Sequence, residues 1–565
     1  KKPALQRVFL WRKLMKKTVR LLSLNLNERD LSIALVGLKQ YTNLDETIAS
    51  NYTIKIHQWN KNYTNMGNSG TVEGILLKDI IESLEPENTD IFGYSTYIWN
   101  FNFMMAIAEK VKQINPNAIN LFGGPQAGGM GKKLYCCGDF VDFVIKGEAE
   151  LSFRKFLSGH LNEDYSNVEN LIFRDQKRLR SNIPKDKNLA NKQSYLNSIE
   201  ELPFPFKDPE YRSFLDKLNH KVTAQFETER GCPLACTFCS WGTRLPIRRR
   251  TQNDVEEGLT YLLNHPNVKA VYIVDANPFI KDEKGLWLTD YLLNKNTTSK
   301  PVFFELNPEY IRDSKVIENL GKLSGDELAF GLQSTSDQTL KIIKRKFDRN
   351  VYENNVQALK AMNPDANIKF SLIVGLPGDN FESFCKSLEF VISLNPTDIY
   401  VHDLLVLPGS EMYENPEKFN LIIDSFPPHR VKQNLTFPKD EYNKAKKLGY
   451  YAKLLHKYRQ LTHELLELKT ELMTSSVNLY LEFSELMEAY GLDGLFGRSI
   501  KNISSEEFDY LTEKFKDNKS NEKLLNDLFV KFKSYKIKSF KLNLNSKKGA
   551  VNKSINKVNY TQTSV

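Results

Sequence analysis

Between residues 19 and 145, short apolar runs alternate with stretches whose apolar residues recur at helical spacing. Residues 19–24, 52–59, 90–95, 118–122 and 143–145 read as strands, and residues 32–41, 72–83 and 103–114 as helices between them. Such alternation predicts a parallel, doubly wound sheet. Ligands of these sheets sit beyond the carboxyl ends of the strands. Polar or glycine-rich turns fall at those ends: residues 93–97 (GYSTY), 122–129 (FGGPQAGG) and 146–150 (KGEAE).

Residues 151–220 read as a polar, irregular connection, with a stiff proline-containing stretch at 201–206 (ELPFPF), since proline fixes φ and discourages regular structure. A second alternation follows. Strands are predicted over 222–227, 270–275, 301–305, 327–332, 369–374 and 398–404, and helices, for example, over 254–263, 337–344, 351–362 and 381–394. Six such units fit a partial parallel barrel, whose chemistry is expected in the loops after its strands. From about residue 437 the chain turns charged and helical, with Leu454, Leu455, Leu461, Leu465 and Leu468 among Lys and Glu, as in a helical cap. The resulting division is 1–17 a basic leader, 18–150 a Rossmann-like domain and 151–220 a linker. The barrel covers 221–436, a helical region 437–540, and a disordered basic tail 541–565.

The 565 residues suffice for several cores, with 41% apolar and 11% aromatic content. The net charge of +9 is concentrated at the ends: residues 1–20 hold eight Lys or Arg and residues 541–565 five Lys, without acids. Subtracting these leaves −4 for residues 21–540, so net charge does not indicate a nucleic-acid groove. Val8, Phe9, Leu10, Trp11, Leu14 and Met15 lie within the basic leader, the one segment suited to a membrane surface; a frayed or docked leader is the expectation. No apolar run long enough to span a bilayer and no secretory signal is evident. With unpaired thiols, this suits a reducing, cytoplasmic setting.

The six cysteines are too few for a disulfide scaffold. Three of them, Cys232, Cys236 and Cys239, are spaced C-x3-C-x2-C in the loop after the first barrel strand. A structural zinc site wants four ligands, often as two C-x2-C pairs. Here the others are the Cys136-Cys137 doublet and the isolated Cys385. Three thiolates suit instead a [4Fe–4S] cubane whose fourth iron has no protein ligand, since a protein that closes every iron supplies four.

With Phe238 just before the last cysteine, the motif resembles that of the radical S-adenosylmethionine (SAM) enzymes. The layout ahead of it, with Ser95, Thr96, Gly123, Gly124, Pro125, Gly147 and Glu148 at strand ends, resembles the cobalamin-binding domain that precedes many of these barrels. The resemblance covers residues 18–436 and implies a [4Fe–4S] cluster, SAM and cobalamin as cofactors. One departure is that the loop at 25–32 (NLNERDLS) has no histidine to ligate cobalt from below.

SAM contacts are carried over residue by residue. They are Phe238; Asp275, Ala276 and Asn277 after the second strand, where the family has glycines; Glu305; Gln333 and Ser334 of the fourth-strand signature; Arg345 for the methionyl carboxylate; and Gly375 on the adenine side. Arg244 and residues 248–250 (RRR) read either as a solvated basic face or as a holder of a carboxylate or phosphate. His402 and Asp403 end the sixth strand, where a lone histidine is commonly a structural group.

The function the resemblance implies is methylation of an unactivated carbon in a natural-product intermediate or peptide. One SAM recharges methylcobalamin, a second yields the hydrogen-abstracting radical, and an external donor such as flavodoxin or ferredoxin supplies electrons. The alternative is a non-methylating radical SAM enzyme, a cyclase or rearrangement catalyst, with cobalamin in another role or absent. A tRNA methylthiotransferase is disfavoured because its N-terminal domain carries a second cysteine triad.

Overall fold

In the computed structural model, the described residues are 16–489, apart from 26–29, 61–70, 73–74, 176–177, 185–194, 242–244, 324–326 and 458, together with Val530 and Lys533. The basic leader up to residue 15, residues 26–29 of the 25–32 loop, Arg244 and the tail lie outside them.

The first sheet begins with β1 (Lys17–Asn25), β2 (Tyr52–Asn60), β3 (Ile91–Ser95), β4 (Ile119–Gly123) and β5 (Phe143–Ile145), all parallel. It continues through β6 (Leu171–Asp175) and β7 (Arg178–Ser181), which join antiparallel, so the order is β2-β1-β3-β4-β5-β6-β7. β3 is buried along its whole length, as expected of a strand covered on both faces. Two expectations change. Residues 72–83 hold a helix only over Leu77–Ser83; Thr71–Val72 pairs with Ile75–Leu76 in a small hairpin. Thr71, Val72 and Ile75 are β-branched and lose side-chain freedom in a helix.

Nor is the 151–220 stretch irregular. The helix Glu150–Asn162 buries Phe153, Phe156 and Leu157 at i, i+3 and i+4 spacing, β6 and β7 extend the sheet, and a helix spans Pro209–Lys217. Phe204, Phe206, Tyr211 and Leu215 belong to one continuous core that runs from one face of the first sheet into the barrel. Phe204 stacks on Phe226 of the first barrel strand, centroids 5.7 Å apart. A second core fills the other face of the first sheet.

The barrel sheet is built from β8 (Val222–Phe226), then, after the hairpin β9 (Glu229–Cys232) and β10 (Leu245–Arg249), from β11 (Val268–Ile273), β12 (Val302–Leu306), β13 (Glu327–Gln333), β14 (Asn367–Val374) and β15 (Asp398–Asp403). Its order is β8-β11-β12-β13-β14-β15, parallel throughout, so each strand pairs with its successor in the series. On β13, Leu328, Phe330 and Leu332 are buried, while Glu327, Ala329, Gly331 and Gln333 face the other way, into the barrel. The helix Lys439–Lys457 packs along β15, and Lys446 Nζ donates to Asp403 Oδ2 at 2.8 Å. Among the described residues no helix is long and apolar enough to cross a membrane.

Candidate active site

The cluster loop leaves the barrel at the β9–β10 hairpin, where Arg230 pairs with Arg248 and Cys232 with Leu245. Gly231 has φ +101°, and a Cβ there would run into the Pro246 carbonyl, so only glycine lets the two backbones approach. The loop is tied down in its middle: Thr237 N–H donates to the Ile343 carbonyl (3.1 Å), and Met412 N–H to the Thr237 carbonyl (3.0 Å). Phe238 packs against the apolar cluster formed by residues such as Leu340, Ile343, Leu404 and Met412. Cys232 and Cys236 are buried and Cys239 half-buried. Burial pushes the Cys232 thiol up and the Cys239 thiol to about 11. Bound iron would reverse that direction, because a coordinating thiol is deprotonated outright. Among the described residues no three Cys, His, Asp or Glu converge on a single ion-sized point. A cubane asks for a wider triangle, one iron to each thiolate.

The strand entering the loop is pinned from the barrel side by Asp275. Its Oδ1 accepts from the backbone N–H groups of Thr228 (2.9 Å) and Glu229 (3.1 Å); its Oδ2 accepts from the Thr228 hydroxyl and from Lys284 Nζ (3.0 Å). Lys284 also pairs with Glu229 at 2.9 Å, and Glu229 with Arg249 at 2.9 Å. The carboxylate of Asp275 is thus fully engaged within the protein.

Other residues expected around SAM have donors to spare. Asn277 Oδ1 accepts from Phe279 N–H at 3.1 Å, while its buried Nδ2 has no partner. Arg345 donates to the Gly331 carbonyl and lies against the Cys236 thiol and Tyr352, with its buried Nε unpartnered. Thr237 Oγ1 is a third such atom. Buried polar atoms are rarely left unpaired, and two of these beside the cysteines, with a third just after β11, fit a polar cosubstrate.

Glu305 faces the barrel interior and accepts from the Tyr272 hydroxyl at 3.0 Å; burial raises its carboxyl above the ordinary range. Ser334 is buried, its hydroxyl directed to Asp379 Oδ2 at 3.5 Å. Gln333 ends β13 with φ +72°. Gly375 seats the ring of Tyr442, which a Cβ would meet at 2.5 Å. Ala276 lies between Asp275 and Asn277. His402 stacks on Tyr400, centroids 5.9 Å apart, and Asp403 is paired with Lys446.

In the first domain, Ser95, Gly123 and Gly147 stand at or just beyond the ends of β3, β4 and β5, one carboxyl edge. Around Gly123 and Gly147 nothing lies within 4 Å of where a Cβ would be, an open cradle suited to a large flat ligand. Gly124 differs: with φ +87°, its missing Cβ makes room for the Thr96 backbone, 2.6 Å away. Thr96 Oγ1 donates to the Gly123 carbonyl (2.6 Å) and accepts from Ala127 N–H (2.9 Å), and Pro125 opens the short helix Gly124–Met130. Thr96 and Gly124 build the turn itself.

Glu148 is engaged elsewhere. It takes both terminal nitrogens of Arg248, at 2.6 and 2.9 Å, and one of Arg230 at 3.4 Å. Arg250, also buried, donates to the Leu202 carbonyl at 2.8 Å and lies over the Phe204 ring. Residues 248–250 are therefore no solvated face: the carboxylates they hold are the protein's own. Sequence reasoning missed this, together with Glu150, Arg230 and Glu227. Its one signal was the pair of acids in KGEAE.

The described residues thus form a parallel partial barrel with a cysteine triad after its first strand, preceded by a doubly wound sheet with an open carboxyl edge. Residues 57–157 match the B12 binding domain family and residues 227–391 the Radical SAM superfamily. The chain thus carries a radical SAM domain in its barrel and a B12 binding domain ahead of it. These domains imply a [4Fe–4S] cluster, SAM and cobalamin. Curated relatives include the cobalamin-dependent radical SAM methyltransferase TokK of Streptomyces tokunonensis, 26% identical over 58% of this chain and 48% of that protein. Another is the 2-(S-pantetheinyl)-carbapenam-3-carboxylate methyltransferase of Streptantibioticus cattleyicolor, 26% identical over 61% of this chain and 51% of that one. The chain spans about half the length of these relatives. The fold is similar to that of the radical SAM methyltransferase TsrM from Kitasatospora setae, with TM-score 0.54 and 12% identity over 73% of this chain and 76% of that one.

Proposed function

We propose that the chain is a cobalamin-dependent radical SAM methyltransferase acting on an unactivated carbon of a natural-product intermediate or a peptide. The observation that carries this reading is the ion-paired contact of Glu148 and Glu150, just past the open edge of the B12 binding domain, with Arg230 on the strand entering the cysteine triad. When bound, the cluster and SAM supply hydrogen abstraction and cobalamin supplies the methyl group. The protein orients these groups and keeps water out. Cys232, Cys236 and Cys239 hold the cluster; Arg345 and Asn277 offer their spare donors to the methionyl carboxylate; Glu305 and Tyr272 line the barrel where substrate enters. Electrons come from an external one-electron donor such as flavodoxin or ferredoxin. A cluster with an open iron suits a reducing, cytoplasmic setting.

The test needs no substrate. Protein purified anaerobically with cobalamin is expected to hold about four irons per chain and to show the corrin optical spectrum. After reduction, added SAM should yield S-adenosylhomocysteine, one equivalent for each bound cobalamin. Bound cobalamin without any S-adenosylhomocysteine would remove the methyltransferase assignment and favour the non-methylating alternative.

A further inference from the structure

Three carboxylates converge on one guanidinium two residues ahead of the first cluster cysteine. Arg230 Nη1 donates to Glu150 Oε1 at 2.7 Å and reaches Glu148 Oε2 at 3.4 Å; its Nε and Nη2 fork onto Glu227 at 2.9 and 2.8 Å. Glu227 follows β8 of the barrel. Glu148 and Glu150 follow β5 of the B12 binding domain, directly after the open Gly147. Arg248, facing Arg230 across the β9–β10 hairpin, takes Glu148 from the other side. Glu150 and Arg248 are buried. Burial opposes the charged form of Glu150, but Arg230, helped by a backbone hydrogen bond and Arg248, offsets it and holds the carboxyl below its ordinary range.

We propose that Arg230 is a positioning residue: its fork fixes where the loop from Gly147 to Glu150, and so the corrin edge resting on it, stands relative to the cluster thiolate of Cys232. The proposal rests on the function proposed above. The mechanical path is short. Arg230 is separated from Cys232 only by Gly231, whose backbone is held against Pro246, so a shift of the guanidinium is passed to the thiolate. On the other side, Glu150 opens the helix Glu150–Asn162, and Gly147 is three residues back. Both anchors are hydrogen-bonded ion pairs of fixed geometry, and arginine's planar fork restrains orientation as well as distance. This group sets three carboxylates against two guanidiniums, so a neutral residue at 230 leaves Glu150 without its charge partner.

The experiment compares wild type with Arg230→Gln and Glu150→Gln in the full chain. Amide hydrogen exchange across residues 147–150, measured without cofactors, should accelerate by at least about a hundredfold in both, since removing one partner of a buried ion pair strands the other. In the loaded proteins, iron and cobalamin contents should match wild type, while the magnetic coupling between cob(II)alamin and the reduced cluster, read by electron paramagnetic resonance, is reduced. A merely stabilising role would leave that coupling unchanged once both cofactors are bound. Arg230→Lys, which keeps the charge and loses the fork, should restore slow exchange but not the full coupling.

Unchanged exchange and unchanged coupling in variants that hold both cofactors would overturn the proposal. If Arg230→Gln fails to fold, Glu150→Gln alone supplies both the exchange rate and the coupling. If wild type takes up no cobalamin, the proposed function falls, while the exchange data still decide whether Arg230 holds the loop.

Discussion

Asp275 offers the sharpest division between a residue that binds SAM and one that builds the site. In Asp275→Asn the side-chain oxygen can still accept from the Thr228 and Glu229 amides, because both bonds end on Oδ1. The lost partner is Oδ2, which faces the Thr228 hydroxyl and Lys284. An amide NH₂ can satisfy the hydroxyl but repels the ammonium. Lys284 keeps Glu229, so the loss is one charge-assisted bond, about 1.5–3 kcal/mol. Asp275→Ala removes all four bonds and leaves buried donors beside an ammonium with one remaining partner, about 3–5 kcal/mol by analogy with broken buried pairs. Denaturant unfolding of the cluster-free protein should show this order, with Asp275→Ala more destabilised than Asp275→Asn. Iron content after reconstitution should fall in the same order, because the strand held by Asp275 delivers Cys232. Stability and iron content equal to wild type, with weakened SAM binding alone, would refute the reasoning and return Asp275 to the cosubstrate.

Alanine at Cys232, Cys236 or Cys239 should abolish cluster binding and reductive SAM cleavage, measured as iron and 5′-deoxyadenosine, while Cys385→Ala keeps both. Gly123→Leu, entering open space, should leave the melting temperature unchanged and abolish cobalamin uptake; Gly124→Leu, driven into the Thr96 backbone, should lower the melting temperature even without cofactor. Burial raises Asp379 to about 6 from an ordinary 3.8. The folded state therefore keeps a proton that the unfolded chain loses, and stability falls as pH rises from about 4 to about 6, by at most about 3 kcal/mol. Asp379→Asn should flatten that slope in pH-dependent unfolding of the cluster-free protein, and an unchanged slope would remove the assignment.

Much of the fold was legible before the structure because its signals are local. Parallel strands are short apolar runs, the intervening helices repeat every three to four residues, and a cysteine triad within eight positions stands out wherever its loop goes. The five parallel strands of the first sheet and all six barrel strands followed from such patterns. What escaped depended on partners far away in the chain. Nothing near residues 248–250 tells that Arg248 will meet Glu148, one hundred positions earlier, or that Arg230 will meet Glu150 across eighty. On their own these residues look like a solvated basic face, and only the docking of one sheet on the other buries and neutralises them. Phe204 and Phe206 likewise sat in a stretch read as a linker, and became core once β8 supplied Phe226 to stack on. Asp275 occupied a strand end, where sequence suggests a ligand contact, but the neighbouring β9 and Lys284 claimed its carboxylate. By itself the sequence determined most of the elements and marked the cysteine triad as the candidate cluster loop, because both are written within a few turns of chain. Tertiary structure alone decided which charged strand-end residues remain available to a cofactor, because a buried charge must find a partner and that choice is made only when the domains pack.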